Sequence, residues 1–427
     1  MKRHRVLVVG DGGREHIIGR MIGLSPEVEQ VFFAPGNGGT GRCGTNIGIS
    51  ATEFRNLVNF AEKNEISFTV VGPDEPLSLG IVDCFMGNNL SIFGPISAAA
   101  KIESSKIFAK NLMVKKGILT APFTVCLSAR DAMVIAENHP LPFVVKADGL
   151  ASGKGVSVCF ERSEARKSIE ELMIERRFGA SGDRVIIEDF VPGEELSYTA
   201  LVDKHRIVAM PPARDHKKLL DGDKGPNTGG MGCFAPVPDI SASLLKRIRD
   251  TIAIPILEGL AELGIVYRGC LYLGLKITPW GDIYTLEANA RFGDPEAQAI
   301  LTLMEADLFH VFESCVYDKL NEVHIEWRND YAVSVAICSG GYPSWSSPVA
   351  RISRLEELES TPGIDVYHSG TKYIDGQYWA IGGKRVIHVV SCGTTVEKAS
   401  ANVYNAIARS SFQFDDMNYR RDIGIQS

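Results

Sequence analysis

The sequence predicts a multidomain α/β and α+β protein: an N-terminal parallel-sheet domain, a central α+β domain with one long glycine-rich turn, and a strand-rich C-terminal domain. Three observations lead there. Roughly the first hundred residues alternate short apolar strands with helical patterns, and each strand is closed by glycine or proline. After Ser104 the texture changes to longer strands around one long glycine-rich turn. Glycine is also abundant, 42 of 427 residues against the ~7% typical of proteins, and it clusters without a collagen period.

Taken in order, Arg5–Val9 reads as a strand, Arg14–Gly23 as a helix, Gln30–Ala34 as a strand, Thr52–Asn64 as a helix, Ser67–Val71 as a strand, Leu79–Asn88 as a helix and Ser91–Phe93 as a strand. This βαβ rhythm implies a parallel sheet whose ligands sit at the carboxyl ends of its strands, here the turns at Gly10, Pro35-Gly36, Gly72-Pro73 and Gly94-Pro95. The next region reads as a helix over Lys106–Lys116, a strand ending at Lys146, a loop over Asp148–Gly155, a strand over Val156–Phe160, a helix over Ser163–Glu175 and a strand over Arg184–Phe190. Asp215–Pro236 reads as a long polar, glycine-rich functional loop. A helix over Ala242–Leu263 and strands over Cys270–Ile277 and Ile283–Ala288 follow. A last region starts with a strand at Tyr331–Ser339, turns at Gly340-Gly341 and Gly382-Gly383, and closes with a helix near Val396–Ser410. The domains are therefore placed at 1–103, 104–330 and 331–427.

Composition excludes several classes. Hydrophobic residues at 45% and charged residues at 23% are the balance of a globular protein, and the net charge of −7 argues against a non-specific nucleic-acid binder. No apolar run reaches the ~18 residues of a membrane span, and Val6–Val9 is too short for a signal-peptide core. The nine cysteines are scattered without a CxxC pair, which fits reduced thiols in a cytoplasmic protein.

Four segments carry chemistry. Gly10-Asp11-Gly12-Gly13-Arg14-Glu15, between a strand and a helix, aims backbone N–H groups at an anion. It is not a dinucleotide fingerprint, because GxGxxG needs glycine where Glu15 stands and the second strand runs into Ala34-Pro35-Gly36 where a ribose-binding acid belongs. The rim reads as a phosphate or phosphosugar site, with a ligand-free tight turn as the alternative. In the second segment, Lys146 to Gly155, glycines admit phosphate oxygens to the backbone while Lys146 and Lys154 supply charge. A Walker A loop would need Ser or Thr in place of Gly155, and a plain hairpin is the alternative reading. Third, Glu287 and Asn289 are two apart on a strand and so share a face, offering the hard oxygens that Mg²⁺ accepts beside nucleotide phosphates. Arg291 falls on that face or just past it, able to pair with a carboxylate. Alone, that pair would read as a solvated strand face. Fourth, the apolar strand Val185–Phe190 breaks at Pro192-Gly193, a hinge whose backbone can meet an adenine edge while Glu195 accepts ribose hydroxyls. His216 lies in a polar loop and is open to either substrate contact or packing, whereas His16, in the first turn of a helix, reads as packing or capping.

In this order the segments resemble the ATP-grasp superfamily, and within it the phosphoribosylamine–glycine ligase (glycinamide ribonucleotide synthetase) family. The carriers are VVGDGGREH (8–16), APGNGGT (34–40), VVGPDEPLSLGIVD (70–83), ESSKIFAK (103–110), VVKADGLASGKGV (144–156), IIEDFVPGEELS (186–197), RDHKKLLDGDKGPNTGGMG (214–232), EANARFGDPEAQ (287–298) and GGYP (340–343). The resemblance implies a pre-ATP-grasp N-terminal domain, an ATP-grasp core with a small mobile lid at about 122–191, and a C-terminal domain. It implies ATP at Lys106, Lys146, Gly149, Gly153, Lys154, Gly155, Glu188 and Glu195, with the backbone of Asp189 and Val191 at the adenine. It implies Mg²⁺ or Mn²⁺ at Glu287 and Asn289, and 5-phosphoribosylamine at the first-sheet turns: Gly10, Gly12, Gly13, Arg14, Glu15, Pro35, Gly36, Asn37, Gly72, Pro73 and Asp74. Asp215, Arg291 and Asp294 would border glycine, Lys217, Asn227, Thr228, Gly229 and Gly293 would join the substrate site, and Arg291, Asp215 and Lys146 would be catalytic. One departure concerns the metal: the strand that carries another acid in several relatives reads Leu271-Tyr272-Leu273-Gly274-Leu275 here.

The implied reaction phosphorylates glycine with ATP and passes the glycyl phosphate to the amine of 5-phosphoribosylamine, giving glycinamide ribonucleotide, ADP and phosphate in purine biosynthesis. The implied protein is a cytoplasmic monomer or weak homodimer without nucleic-acid or membrane partners. The alternatives are another ATP-grasp carboxylate–amine ligase, a non-catalytic nucleotide-binding protein on the same fold, and a dinucleotide oxidoreductase, the last disfavoured by Glu15.

Overall fold

The computed structural model describes residues 3–151 and 153–425; Met1 and Lys2 of the basic N-terminus and Ser152 of the glycine loop lie outside them. Strands β1 (His4–Gly10), β2 (Val28–Pro35), β3 (Thr45–Asn46), β4 (Phe68–Val71) and β5 (Ile92–Phe93) form a parallel sheet in the order β3-β2-β1-β4-β5. Val6–Val9 are completely buried, as a strand covered by helices on both faces must be. The order reverses between β1 and β4, so the crevice at their carboxyl ends is where such a sheet admits a ligand. Helix α1 (Gly13–Ile22) leaves from this point.

The lid is an antiparallel sheet of β6 (Phe123–Cys126), β7 (Phe143–Ala147), β8 (Val156–Cys159) and β9 (Val185–Asp189), ordered β6-β9-β7-β8. Its helices, Ala129–Asn138 and Arg162–Ile169, close a core of its own around Phe143, Val145, Ala165, Ile169 and Ile187. This core is separate from those of its neighbours. The glycine loop is the β7–β8 connection.

Beyond the lid come β10 (Glu194–Val202), β11 (Ile207–Ala209), β12 (Arg214–Asp215), β13 (Lys218–Leu220), β14 (Lys224–Asn227), β15 (Gly232–Ala235), β16 (Gly269–Ile277) and β17 (Ile283–Asn289). The central sheet is β11-β10-β16-β17. The C-terminal sheet combines β12 and β15 with β18 (Tyr331–Cys338), β20 (Ile364–His368) and β23 (Arg385–Gly393), while β19 (Ala350–Arg351), β21 (Thr371–Ile374) and β22 (Gln377–Ala380) form a small sheet beside it.

Several readings change. Asp215–Pro236 is not an unstructured loop: it holds the β13–β14 hairpin and β15, which pairs with β18. That pairing spans a hundred residues of chain, so no local pattern announces it. The helix expected over Ala242–Leu263 carries a π segment, Arg249–Ala253, just before Pro255, whose missing N–H breaks the regular hydrogen-bond ladder. The helix expected at Ser163–Glu175 ends its regular part at Ile169 and continues as a π turn. The helix expected at Leu79–Asn88 forms over Ile81–Gly87, and a separate short helix, Asp74–Ser78, precedes it. Strand β10 and the helices Glu296–Thr302 and Leu308–Val316 were not read from the sequence at all.

Phe143 is fully buried in the lid core, so Phe143→Ala is expected to destabilise that unit by roughly 3–5 kcal/mol. Hydrogen exchange on the full chain should then lose protection across 123–189 while β1 and β18 keep theirs. Uniform loss across all sheets would show that the lid does not open on its own.

Candidate functional site

One cleft of 1260 Å³ lies where the three domains meet, lined by Arg14 and Asp74 from the N-terminal domain, by Lys106, Lys146, Glu188, Glu195, Glu287 and Asn289 from the centre, and by Arg385 from β23. The lid and the central sheet form one end of it. Lys146, on β7, extends its Nζ to Glu188 Oε2 at 2.8 Å and donates to the carbonyl of Leu286 at 3.2 Å. Lys110 reaches Glu188 Oε1 at 3.1 Å, so a buried carboxylate on β9 is held between two lysines. Burial pushes Lys110 down to about 8, the expected response of an ammonium removed from water, and Glu188 partly restores it. Lys106 donates to the carbonyl of Gly149 at 3.1 Å and is likewise lowered by burial.

The glycine loop is anchored at its base by Asp148. Its Oδ1 accepts from Ser105 Oγ and from the Ile107 backbone, both at 2.9 Å, and its Oδ2 pairs with Arg184 at 2.6 Å. Thus the helix that begins at Lys106 and the lid loop share one carboxylate. Gly149, Gly153, Lys154 and Gly155 belong to this loop, and Gly153 and Gly155 line the cleft. The hinge after β9 places Asp189, Val191 and Gly193 along the same wall, with the Asp189 carboxylate turned to His139 Nε2 at 2.8 Å.

At the other end, Glu287 stands on β17 with Lys217 Nζ at 3.2 Å, and the positive field of Lys217 holds it at about 2, fully ionised near neutrality. Glu195 lies 3.3 Å from Lys276 and 3.8 Å from Lys217; burial opposes its charge, but the two lysines outweigh it and hold the carboxyl below its ordinary value. Lys217 is raised in turn: burial works against its charge, and Glu287, Tyr272 and Glu195 overcome it. Directly across from Glu287 on β16 is Gly274, where a Cβ would stand 2.8 Å from Glu287 Cγ.

Glu287 and Asn289 both face the cleft. Their hard oxygens, with Glu287 kept ionised, fit a divalent cation that takes its remaining ligands from phosphate and water. Among the described residues no group of three or more His, Cys, Asp or Glu side chains is arranged to hold a metal.

Past the strand end, Arg291 pairs with Glu103 Oε1 at 2.7 Å, and Glu103 Oε2 accepts from the Ala290 backbone at 2.8 Å. Arg291 Nε has no partner, nor does Oδ1 of Asp215, whose carboxyl is pushed well above its usual value by burial and the neighbouring Glu296. Two buried, unsatisfied groups of opposite character at one end of a cleft suit a zwitterionic ligand. Asp294 is the contrasting acid: burial opposes its charge, yet Arg385 and His388 hold it well below the usual carboxylate range.

Several sequence-derived site residues make hydrogen bonds within the chain. Glu15 accepts from the Gly12 backbone at 2.7 Å and pairs with Arg14 Nε at 2.5 Å, filling the space beneath Gly10 and Gly72. The Gly12 N–H at the start of α1 is therefore met by the chain's own carboxylate. Asn37 donates to the carbonyls of Asp11 at 2.9 Å and His368 at 2.8 Å and accepts from the Gly39 and Thr40 backbones. It ties the first domain to the last. Gly36 opens on a separate 970 Å³ cleft together with Arg42, Arg351 and Lys372. From the first-sheet turns, Arg14 and Asp74 reach the main cleft; Pro35, Gly72 and Pro73 do not line it. Thr228 donates to the carbonyl of Lys217 at 2.9 Å, and the Gly229 backbone donates to Tyr342 Oη at 2.9 Å. Asn227 donates to the carbonyl of Val156 at 3.3 Å, a contact to the lid, and Gly293 lines the cleft beside Glu296.

Sequence reasoning missed Glu103, Lys110, Lys276 and Arg385. The first two lie inside ESSKIFAK, and Lys110 is four residues, one helical turn, after Lys106, a signal that was available. Arg385 had none: it sits in the C-terminal domain and donates to the carbonyls of Gly229 and Asp294, each at 2.6 Å. His216 is half-buried on the cleft wall and pushed down to about 4 by burial, and His16 accepts from the His368 backbone at 2.8 Å.

Family models match the chain in three consecutive parts: the N domain of phosphoribosylglycinamide synthetase over residues 4–103, its ATP-grasp (A) domain over 104–297 and its C domain over 332–426. A phosphoribosylamine–glycine ligase of Ralstonia nicotianae is 41% identical over 420 residues, 98% of each chain. A crystal structure of phosphoribosylamine–glycine ligase from Thermotoga maritima superimposes with a TM-score of 0.81 at 34% identity, covering 98% of this chain and 100% of that one. The biotin carboxylase domain of the 2-oxoglutarate carboxylase of Hydrogenobacter thermophilus, described as a complex with MgADP, ADP and bicarbonate, has a TM-score of 0.71 at 15% identity, covering 98% and 92%, and shares the fold.

Gly274→Ala should crowd Glu287 and weaken binding of magnesium–ATP by about tenfold, read by calorimetry, a loss of ~1.4 kcal/mol. For acid stability, His216 is ordinary when unfolded and at about 4 when folded. Between pH 6.5 and 4 the unfolded chain takes a proton that the folded one refuses, so stability falls as pH falls through that window. His216→Asn should flatten this acid-side decline in Tm.

Proposed function

The chain belongs to the phosphoribosylglycinamide synthetase family, and we propose on that basis that its cleft joins glycine to 5-phosphoribosylamine at the expense of ATP. The protein is a ligase that forms a carbon–nitrogen bond, of the ATP-grasp class, in purine biosynthesis. The observation that carries the assignment of roles is the convergence, in one cleft, of a lysine-rich nucleotide end and an end where Arg291 and Asp215 offer unpartnered buried atoms.

A carboxylate does not acylate an amine unaided, because oxide is a poor leaving group. In the proposed sequence a glycine carboxylate oxygen attacks the γ-phosphorus of ATP, the bond to the β–γ bridging oxygen breaks, and ADP departs. The amine of 5-phosphoribosylamine then attacks the carbonyl carbon of glycyl phosphate, phosphate leaves with the bonding electrons, and the nitrogen loses a proton. Lys106 and Lys146 would neutralise phosphate charge, Glu188 would position Lys146, and the hinge backbone at Asp189 and Val191 would hold adenine with Glu195 at the ribose. Mg²⁺ or Mn²⁺, held by Glu287 and Asn289, would supply further charge neutralisation on the phosphates. Arg291 would orient the glycine carboxylate, Asp215 and Asp294 would border its ammonium, and Arg14 and Asp74 would face the incoming amine substrate.

Glycyl phosphate reacts with water, so the site must close. The lid loop from Gly149 to Gly155 is placed to do this, supported by the contacts of Asn227 with Val156 and of Arg177 with the carbonyl of Ser344. Prepaid alignment of the reactants can contribute up to ~7–11 kcal/mol, and no covalent protein nucleophile is needed. Cys233 and Cys270 are fully buried and their thiols are raised by that burial, the state of inert packing residues.

ADP release measured with each substrate omitted tests the reading: turnover should need both glycine and 5-phosphoribosylamine. Equal turnover with D-alanine or bicarbonate in place of glycine would overturn it. Arg291→Met should lower kcat/KM by about 10²–10³, as loss of a charged contact to the reacting group does.

A further inference from the structure

His388 is completely buried, and neither of its ring nitrogens has a hydrogen-bond partner. Leaving such groups unsatisfied costs about 1–3 kcal/mol each, so its surroundings call for an explanation. The imidazole lies where all three domains touch. Its Nε2 is 3.5 Å from Asp294 Oδ1, and it packs directly against Gly13 at the start of α1, where even a Cβ would come within 2.7 Å of the ring. Asp294 Oδ1 already accepts from Gln298 Nε2 at 2.9 Å, and Arg385 Nη2 stands 3.4 Å from Oδ2. The carboxylate is thus held by Gln298 and Arg385, with His388 just short of a bond behind it.

The placement of Arg385 and His388 is not accidental to the strand. Residues three apart on a regular strand point to opposite faces, yet both of these reach Asp294. The β18–β23 register shifts between Ile337 and Cys338, which pair with Ile387 and Arg385, leaving Val386 as the extra residue of a bulge. Bulges re-aim side chains in this way and are frequent beside active sites.

Of the two acids placed at the glycine ammonium, Asp294 is the one held by neighbouring side chains, with Gln298 on Oδ1 and Arg385 near Oδ2. We propose that His388 is a positioning residue for the ligation: it donates from Nε2 to Asp294 Oδ1 when the cleft closes, fixing the carboxylate so that its other oxygen receives the ammonium of the amino-acid substrate. This rests on the functional reading above, and it deepens it by assigning amino-acid affinity to a C-terminal-domain side chain that lines no part of the cleft. ATP affinity is set elsewhere, by the lysines around Glu188.

The test uses the full chain and steady-state kinetics with glycine, ATP and 5-phosphoribosylamine varied in turn. His388→Leu, similar in volume but without a donor, should raise the glycine KM about tenfold, the equivalent of one lost hydrogen bond to a charged group, with the ATP KM within twofold and Tm unchanged or higher. His388→Gln restores a donor near the same place and should bring the glycine KM back to within threefold of the parent. Should the leucine variant not fold, Gln298→Met, which strips the other donor from the same oxygen, should show the same selective rise. A glycine KM within twofold of the parent in His388→Leu, or in Gln298→Met if the first is unfolded, overturns the proposal, as does an equal rise for glycine and ATP. Absence of glycine-dependent turnover in the parent protein would instead sink the functional reading itself.

Discussion

The cleft depends on one constraint: a charge withdrawn from water must be met by an opposite charge or by strong hydrogen bonds. Five carboxylates that shape it are each matched by a cation distant in sequence. Glu188 on β9 is held by Lys110 and Lys146, Glu287 on β17 by Lys217, Glu195 on β10 by Lys276, Glu103 by Arg291, and Asp294 by Arg385. Each pair joins two segments, and together they bind helix, lid, hairpin and C-terminal sheet into one wall. Removing one member would leave its partner charged and buried, which is why the wall behaves as a unit.

This arrangement also explains an acidic protein built to receive anions. The net charge of −7 is a property of the whole surface, whereas the field inside the cleft is set locally by Lys106, Lys146 and Lys217 and by backbone amides of the lid loop. Ligand phosphates would enter a place where the lysines are already balanced by carboxylates that can shift their attention, as Lys217 does between Glu287 and Glu195. The lid contributes Lys146 and Glu188 to that wall while keeping a core of its own.

The C-terminal domain is more than a cover. Two of its sheet strands, β12 and β15, come from the same stretch of chain that carries Asp215 and Lys217, so the site and the domain are built from one piece of backbone. Arg385 then returns from β23 to grip the carbonyls of Gly229 and Asp294. The N-terminal domain contributes less than its glycines suggest: Glu15 and Asn37 satisfy its turns internally, and Arg14 and Asp74 are what it presents to the cleft.

By itself the sequence determined whatever depends on neighbours in the chain. The βαβ rhythm set the parallel sheet, the glycine loop between two strands set the β7–β8 connection, and the spacing of Glu287 and Asn289 set their common face, because period-two alternation is a local property. The ordered motifs also carried the family. Tertiary structure alone decided which of these residues share one cleft. Glu15 reads as part of a phosphate rim until its carboxylate is seen capping its own helix, and Lys110 reads as an ordinary helix residue until Glu188 is seen behind it. Arg385 and His388 acquire a role from a bulge at Val386 and from burial against Asp294, more than ninety residues away in the chain. Pairing of buried charge is a matter of proximity in space, and sequence separation carries no record of it.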